Sequence, residues 1–399
     1  MTNDIKILII NCGSSSIKYQ IIMMPTEQVI CKGVVERIGA KNAILTYETK
    51  TVSLEKIDEI KNHKAGLQKI VEALLDSENG VMKDRNDIEA IGHRVVHGGN
   101  SFSSTTLINQ KVIKEIKKNI NLAPLHNPHN LEGILLAEKL FPSAKQIAVF
   151  DTAFHQTIPV KAKKYAIPNE FYDEHGIQVY GFHGTSHKYV SERAIDYLHL
   201  KESKIITIHL GNGCSMTAIE NGQSVDHSLG FSPSNGLIMG SRSGDIDHSI
   251  IFYLVNTLNY TLEAVNNLLT KQSGMLGLTG YNDLRDIQKD AEIGNEDCQL
   301  ALEMNAYSIK KYIGAYAAAM NGLDAIIFTA GIGENSAVLR KLVCENMDSL
   351  GIDLDTQKNQ EKLNKIRAIN TDISKVKVLV IPTNEELEIA KQVHQLYDI

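Results

Sequence analysis

Four glycine-rich turns punctuate this 399-residue chain: CGSSS (12–16), LGNGCS (210–215), MGSRSGD (239–245) and AGIGENS (330–336). Glycine lets backbone N–H groups approach an anion closely, and serine hydroxyls add donors, so each turn suits a phosphate. Neither the P-loop pattern GxxxxGK[ST] nor the dinucleotide pattern GxGxxG occurs. One such turn alone reads as a simple tight turn. Four at the ends of β-rich runs point to a nucleotide.

Two arginines stand in turns rather than on helix faces, Arg94 in GHRVVHGG and Arg242 in GSRSGDID. An arginine fork can bind a carboxylate or phosphate through two parallel hydrogen bonds, and its fixed charge suits a transferring phosphoryl group. Histidines cluster as His93 and His97, His126 and His129, His155, and His183 and His187. No HExxH motif accompanies them, which counts against a zinc hydrolase. His183 precedes Thr185 and Ser186, which read as the N-cap of the next helix, where a histidine can donate to an anion; His187 reads as structural. Asp151 follows the apolar AVF at a strand end. In VLVIPTNEELEIA, Thr383 and Glu386 have capping-box spacing, which leaves Glu385 as the better metal ligand. Asn11, Asp151 and Glu385 could together hold Mg²⁺, directly or through water.

These residues need strands and turns to place them. β-rich runs at 5–11, 17–23, 29–36 and 43–48 suggest an antiparallel meander, followed by a helix at about 63–76. Strand signals return at 89–95 and 146–150, separated by helical segments near 110–120 and 130–140. Pro142 and DTAFHQTIP mark a boundary. Residues 204–220 then repeat the opening pattern at an offset of 198: Ile7–Ile10 meet Ile205–Ile208, Asn11 meets His209, Gly13 meets Gly211 and Ser16 meets Cys214. Ala325–Thr329 and Val376–Ile381 read as the last buried strands. A duplicated α/β fold, with two similar domains facing each other, is the expectation.

The length favours two domains. With 41 Lys and Arg against 47 Asp and Glu, the net charge of −6 offers no basic field for nucleic acid. The five cysteines are scattered without a CxxC, against both a disulfide framework and a cysteine zinc site. No apolar run has the length of a signal peptide or a membrane span. A cytoplasmic protein with a small-molecule partner, and no membrane, is expected.

Taken in series, NCGSSSIK, GHRVVHGG, PLHNPHN, VFDTAFHQTIP, YGFHGTSH, HLGNGCS, GFSPSNGLIMGSRSGDID, DLRD, FTAGIGENS and IPTNEE resemble the acetate kinase (acetokinase) family over the whole chain. The resemblance implies the acetate and sugar kinase/Hsc70/actin superfamily, with two ribonuclease-H-like (actin-like ATPase) domains around a central cleft. It implies that residues 1–150 and 385–399 form the first domain and 151–384 the second, which carries the nucleotide site and a homodimer interface. The implied reaction is reversible, Mg²⁺-dependent transfer between ATP and acetate, giving acetyl phosphate and ADP, with Mn²⁺ able to stand in.

By the same resemblance, Asn11, Asp151 and Glu385 lie near the metal, and Arg94 and Arg242 grip the carboxylate and the phosphoryl group. His183 and Asn212 stabilise that group in transfer, with Asp151 also counted as catalytic. Val96, Leu125, Phe182 and Pro233 receive the methyl group beside His126. The nucleotide set comprises Lys18, His209, Leu210, Gly211, Asn212, Gly213, Asp283, Leu284, Arg285, Gly331, Ile332, Gly333, Glu334 and Asn335. The chain departs from the usual family pattern at His129, at Gln178 and Val179, at Ser232-Pro233-Ser234-Asn235-Gly236, and at Ser241 and His248. One methylene discriminates weakly, so a propionate kinase stays open. An Hsp70- or actin-like ATP-binding protein is a distant alternative.

Overall fold

The computed structural model describes residues 4–397, and these divide into two compact units, residues 4–154 with 384–397 and residues 155–383. Both are mixed α/β units of the actin-like ATPase type. In the first unit the strands are β1 (Ile5–Cys12), β2 (Ser16–Met24), β3 (Gln28–Glu36), β4 (Ala43–Glu48), β5 (Ser53–Asp58), β6 (Ala90–Val95), β7 (Thr106–Leu107) and β8 (Lys145–Phe150). They form one sheet in the order β5-β4-β3-β2-β1-β6-β8-β7. β1 to β5 are an antiparallel meander, β6 and β8 add in parallel to β1, and β7 closes the edge antiparallel.

The second unit holds β9 (Lys204–Leu210), β10 (Cys214–Glu220), β11 (Gln223–His227), β12 (Ala325–Thr329), β13 (Arg367–Ala368) and β14 (Lys377–Val380), ordered β11-β10-β9-β12-β14-β13. The pattern repeats that of the first sheet. β9 is antiparallel to β10 and parallel to β12, which is parallel to β14. Ile7–Ile10 pair with Ala90–His93, and Ile205–Ile208 pair with Ala325–Phe328. The offset of 198 therefore holds along the first strand. It slips by one after the turn, because four residues (13–16) separate the Cys12–Ile17 pair and three (211–213) separate the Leu210–Cys214 pair. Cys214 thus takes the place of Ile17 and not of Ser16.

β1 is buried on both faces; Ile7, Leu8, Ile9 and Ile10 are each at most 1% exposed, and each such side chain contributes roughly 2 kcal/mol. Alternation sends Leu8 and Ile10 toward helices α1 (His63–Leu74) and α3 (Asn127–Leu140), with α2 (Gln110–Lys118) beside them. Ile9, and Gly92 across from it on β6, face the C-terminal helix Glu385–Tyr397. Asn11 and Arg94 share that second face by the same period of two. The helix expected near 130 starts at Asn127, with Pro128 in its first turn, where a missing N–H costs nothing.

Two expected caps are different. Asn384, not Thr383, caps the last helix: its Oδ1 accepts from Leu387 N–H at 3.0 Å, while Thr383 Oγ1 lies 3.0 Å from Ser186 Oγ. The helix Gly184–Leu198 begins before Thr185 and Ser186, and His183 occupies its N-cap position in a left-handed conformation (φ 55°, ψ 27°). Ser186 is inside the first turn and pairs with His209 Nδ1 at 2.8 Å.

The contact between Gly92 and the last helix is tight: a Cβ on residue 92 would stand 2.7 Å from Ile389 Cγ2 and 3.0 Å from Val393 Cγ2. Gly92→Ala should cost about 1–3 kcal/mol by overpacking. Combined with Ile389→Ala in a denaturant double-mutant cycle, the two costs should be less than additive. Additive costs would mean that the helix does not seat against residue 92.

Candidate active site

In the first unit, Asn11, Arg94 and Asp151 stand at the carboxyl ends of the adjacent parallel strands β1, β6 and β8, where open α/β sheets offer their ligand sites. Asp151 continues β8, its N–H donating to Val95 O at 3.0 Å. Arg94 donates from Nε to Asp151 Oδ1 (2.9 Å) and from Nη2 to Oδ2 (2.7 Å). Its Nη1 is 3.9 Å from Glu385 Oε2, at the first residue of the last helix. Asp151 is 2% exposed, Arg94 20% and Glu385 22%. Burial works against the Arg94 charge, but Asp151 and then Glu385 outweigh it, so the guanidinium holds its proton more firmly than usual. Burial, with the neighbouring Asp151 charge, pushes the Glu385 carboxyl up, against the opposing pull of Arg94 and Lys18. Lys18 is exposed on β2 directly across from Asn11. The donors Asn11, Asp151 and Glu385 are all oxygen, and burial disfavours the Glu385 charge despite the nearby Arg94 and Lys18. That set fits a hard cation such as Mg²⁺.

In the second unit the corresponding strand ends belong to β9, β12 and β14. The β9–β10 turn is closed by Gly211 N–H to Gly213 O at 3.1 Å. His183 stacks on His209 at 4.5 Å, and its Nδ1 lies 2.8 Å from Ser215 Oγ. This turns the ring edge toward the turn: a Cβ on Gly213 would be 3.5 Å from His183 Nε2 and 3.7 Å from Arg242 Nη2. A left-handed backbone at a non-glycine residue is strained by about 1 kcal/mol or more and persists where the surroundings enforce it. A chain of histidines enforces this one. His187 bridges Thr207 Oγ1 and Ser215 Oγ, both at 2.7 Å, and His155 and His227 pack behind it. Burial, then mutual repulsion, holds His187 and His227 well below their ordinary value, and burial brings His155 down to about 4. These rings are neutral scaffolding.

Arg242 sits in a turn closed by Met239 N–H to Arg242 O and pinned to residues 273–276 by backbone hydrogen bonds. Its Nη1 donates to Pro233 O. Among the described residues no carboxylate pairs with it, and burial lowers its pKa. A Cβ on Gly240 would collide with Asn212 Oδ1, so this glycine seats the Asn212 side chain. Arg242, His183 and the Asn212–Gly213 turn therefore form a cationic and donor-rich seat for an anion.

Beside it opens a cavity of about 710 Å³, lined by Gly211, Asn212, Asp283, Leu284, Arg285, Gly331, Ile332 and Asn335, all expected from the sequence, and also by Asn282, Gln288 and Ser336. Gln288 follows Leu284 by one helical turn, a spacing that could have identified it. Asp283 caps its helix and is clasped by Arg285, which holds its carboxyl down to about 2. Ala330 leads into the lining with φ 63°. Six residues of the expected nucleotide set do not line the cavity: His209 and Gly213, which belong to the β9–β10 hairpin, and four placed elsewhere. Leu210 is 1% exposed in the core, Gly333 O accepts from Arg340, Glu334 Oε1 accepts from Thr383 N–H, and Lys18 belongs to the first unit. Of the expected acyl pocket, Val96, Leu125 and His126 belong to the first unit and Phe182 and Pro233 to the second. Leu125 is 59% exposed, and Phe182 is buried, with its N–H donating to His227 Nε2.

His93 and His97 are core residues: His93 Nε2 pairs with Gln146 Oε1 at 2.8 Å, His97 Nδ1 accepts from Gly99 N–H, and burial brings each down to about 4. All five cysteines are buried and free.

The profile of the acetokinase family matches residues 6–391. An acetate kinase of Flavobacterium johnsoniae is 62% identical over 393 residues, 98% of this chain and 100% of that one. The crystal structure of Porphyromonas gingivalis acetate kinase superposes with a TM-score of 0.93 at 42% identity, covering 98% of this chain and all of that one. A propionate kinase from Francisella tularensis superposes with a TM-score of 0.92, also at 42% identity, covering 98% and 99%. Strand ends, anion seat and cavity thus occur in a chain that, on sequence and fold together, belongs to the acetokinase family.

Proposed function

We propose that this protein transfers a phosphoryl group reversibly between ATP and acetate, giving acetyl phosphate and ADP. The observation that carries the reading is the anion seat: Arg242, a half-buried cation with no carboxylate partner among the described residues, beside His183 and the Asn212–Gly213 turn. The neighbouring cavity takes the adenosine, and the relatives named above are kinases of this type.

Acetate is already ionised at neutral pH, so the nucleophile needs no general base, and His155, His187 and His227 behind the seat are held neutral by burial. Transfer then depends on orientation and on offsetting the repulsion between two anions. Asp151 occupies the Nε and Nη2 edge of Arg94 and fixes its plane; Nη1 is the donor left to orient a carboxylate. Arg242, His183 and Asn212 balance charge on the phosphoryl oxygens in direct, in-line transfer. Asn11, Asp151 and Glu385 would hold Mg²⁺, which when bound neutralises phosphate charge. The protein works as a cytoplasmic homodimer. Free cysteines, and the exposed Phe252, Tyr253 and Leu262 on the helices Ser249–Asn256 and Leu262–Lys271 and at their joint, support that part. No helix among the described residues is long and apolar enough to cross a membrane. The propionate kinase likeness favours propionate as a second acceptor.

ATP, Mg²⁺ and acetate with hydroxylamine trapping should yield acyl hydroxamate, and kcat/KM across acetate, propionate and butyrate should rank the acceptors. A protein that binds ATP but acylates none of the three would overturn the reading.

Arg94→Ala and Arg242→Ala should each cut kcat strongly while leaving ADP affinity nearly intact, as read by calorimetry. Only the first should cost stability, by about 3–5 kcal/mol, because it strands the buried Asp151 charge. Lost ADP binding would instead assign the arginines to the nucleotide.

Glu385→Gln should raise the Mg²⁺ concentration for half-maximal rate by at least about tenfold, with binding of metal-free ADP unchanged. An unchanged Mg²⁺ requirement would remove Glu385 from the metal site.

A further inference from the structure

The reaction leaves one group of side chains in the first unit without a role. His63 opens α1, and His129 and Glu132 stand three residues apart on α3, a spacing that places both on one helical face. One donor atom from each of the three lies within 4.8 Å of the others. The hydrogen bonds around them dictate what is missing. His63 Nε2 is 2.7 Å from Gly13 O, and since a carbonyl only accepts, Nε2 carries the ring proton. In the neutral ring Nδ1 then presents a lone pair, and it faces Glu132 Oε2 at 3.6 Å. His129, whose ring stacks on His63 at 5.1 Å, has a buried Nδ1 with no hydrogen-bond partner. With Nε2 protonated, His63 Nδ1 and Glu132 Oε2 are two acceptors facing each other, and a cation shared by them and by His129 removes their repulsion.

We propose that His63, His129 and Glu132 form a site for a divalent transition metal of the zinc type. Two imidazoles and one carboxylate select such ions over Mg²⁺, which prefers oxygen. Donors at about 2.1 Å from a tetrahedral ion stand about 3.4 Å apart, close to the existing separation of His63 from Glu132. The His63 bond to Gly13 O is the outer-shell contact that orients a ligating imidazole. A fourth position is left to water. The site is tied to the β1–β2 hairpin twice, since Asn130 Nδ2 of α3 also donates to Cys12 O at 2.8 Å. An ion bound here stiffens the turn beside Asn11 and Lys18. The site is separate from the all-oxygen donors at Asp151 and Glu385, and His129 is one of the positions at which this chain departs from the usual family pattern.

The test reads metal binding and not catalysis, so it stands independently of the proposed reaction. Full-length protein stripped with chelator and kept in excess Mg²⁺ is titrated with Co²⁺, followed by visible absorption, and then with Zn²⁺ as competitor. One equivalent of Co²⁺ should bind with the intense bands of a low-coordinate ion and be displaced by Zn²⁺. His129→Ala and Glu132→Gln should each weaken Co²⁺ binding by at least about tenfold, with metal-free melting temperatures near that of the parent. Zn²⁺ should raise the melting temperature of the parent but not of His129→Ala. No Co²⁺ uptake by folded parent protein, as expected if a proton on His63 answers Glu132 instead, or uptake unchanged in both variants, would overturn the proposal.

Discussion

Asp151 has only 2% of its side chain exposed, and a carboxylate so far from water is stable only where a cation and hydrogen bonds replace its hydration. Arg94 supplies both, and it can do so because β6 and β8 are adjacent and parallel, which brings their last residues to one level. The same pairing fixes the guanidinium plane and decides which of its N–H groups remain for a ligand. It also explains why the chain end returns to the first unit. Glu385 reaches Arg94 only if the last helix lies on the face of β1 and β6 that carries Ile9 and Gly92, and the missing Cβ of Gly92 lets it lie there.

The second unit meets the opposite requirement. Among the described residues Arg242 has no carboxylate partner, and its position comes from uncharged contacts: a tight turn, the Pro233 carbonyl and backbone bonds to residues 273–276. The histidines behind His183 follow the same logic. Were His155, His187 and His227 protonated, three cations would crowd a buried space. Burial keeps them neutral, and Ser215 and Thr207 can then serve as hydrogen-bond partners that lock ring orientations. Donors held this way need no rearrangement to meet an anion, and electrostatic stabilisation has most effect where they are fixed in advance.

Much of this was legible in the sequence, for identifiable reasons. β1, β9 and β12 are isoleucine-rich runs ending in glycine or small residues, so their burial and their limits were readable. β5 was not: SLEKID is an edge strand, mostly exposed, and offers charge rather than apolar alternation. Thr383 and Ser186, each a good cap by type, do not cap because they are drawn into a tertiary contact with one another, leaving Asn384 and a strained His183 at the two helix starts. Local side-chain competition of this kind has no sequence signature. Gln178 and Val179 are held by local contacts. Gln178 is buried and bridges to Lys164, and Val179 N–H donates to Lys163 O. Asn235 Oδ1 closes the 232–236 loop by accepting from Gly230 N–H.

The two hairpins show how one topology came to hold two chemistries. In the first, the residue across from Asn11 is the exposed Lys18; in the second, the residue across from His209 is the buried Ser215. The second turn is one residue shorter, which changes what stands opposite the strand end. A lysine in that position can follow a mobile charge such as a metal or a phosphate, because its long stem and its hydration are both kept. A buried serine cannot move; it can only share its hydroxyl, and it does so between His183 and His187. The first hairpin is therefore suited to adapt to a mobile charge, the second to hold a fixed geometry. Arg242, which pairs with no carboxylate among the described residues, stands on the fixed side, where a rigid frame holds an uncompensated charge in one place.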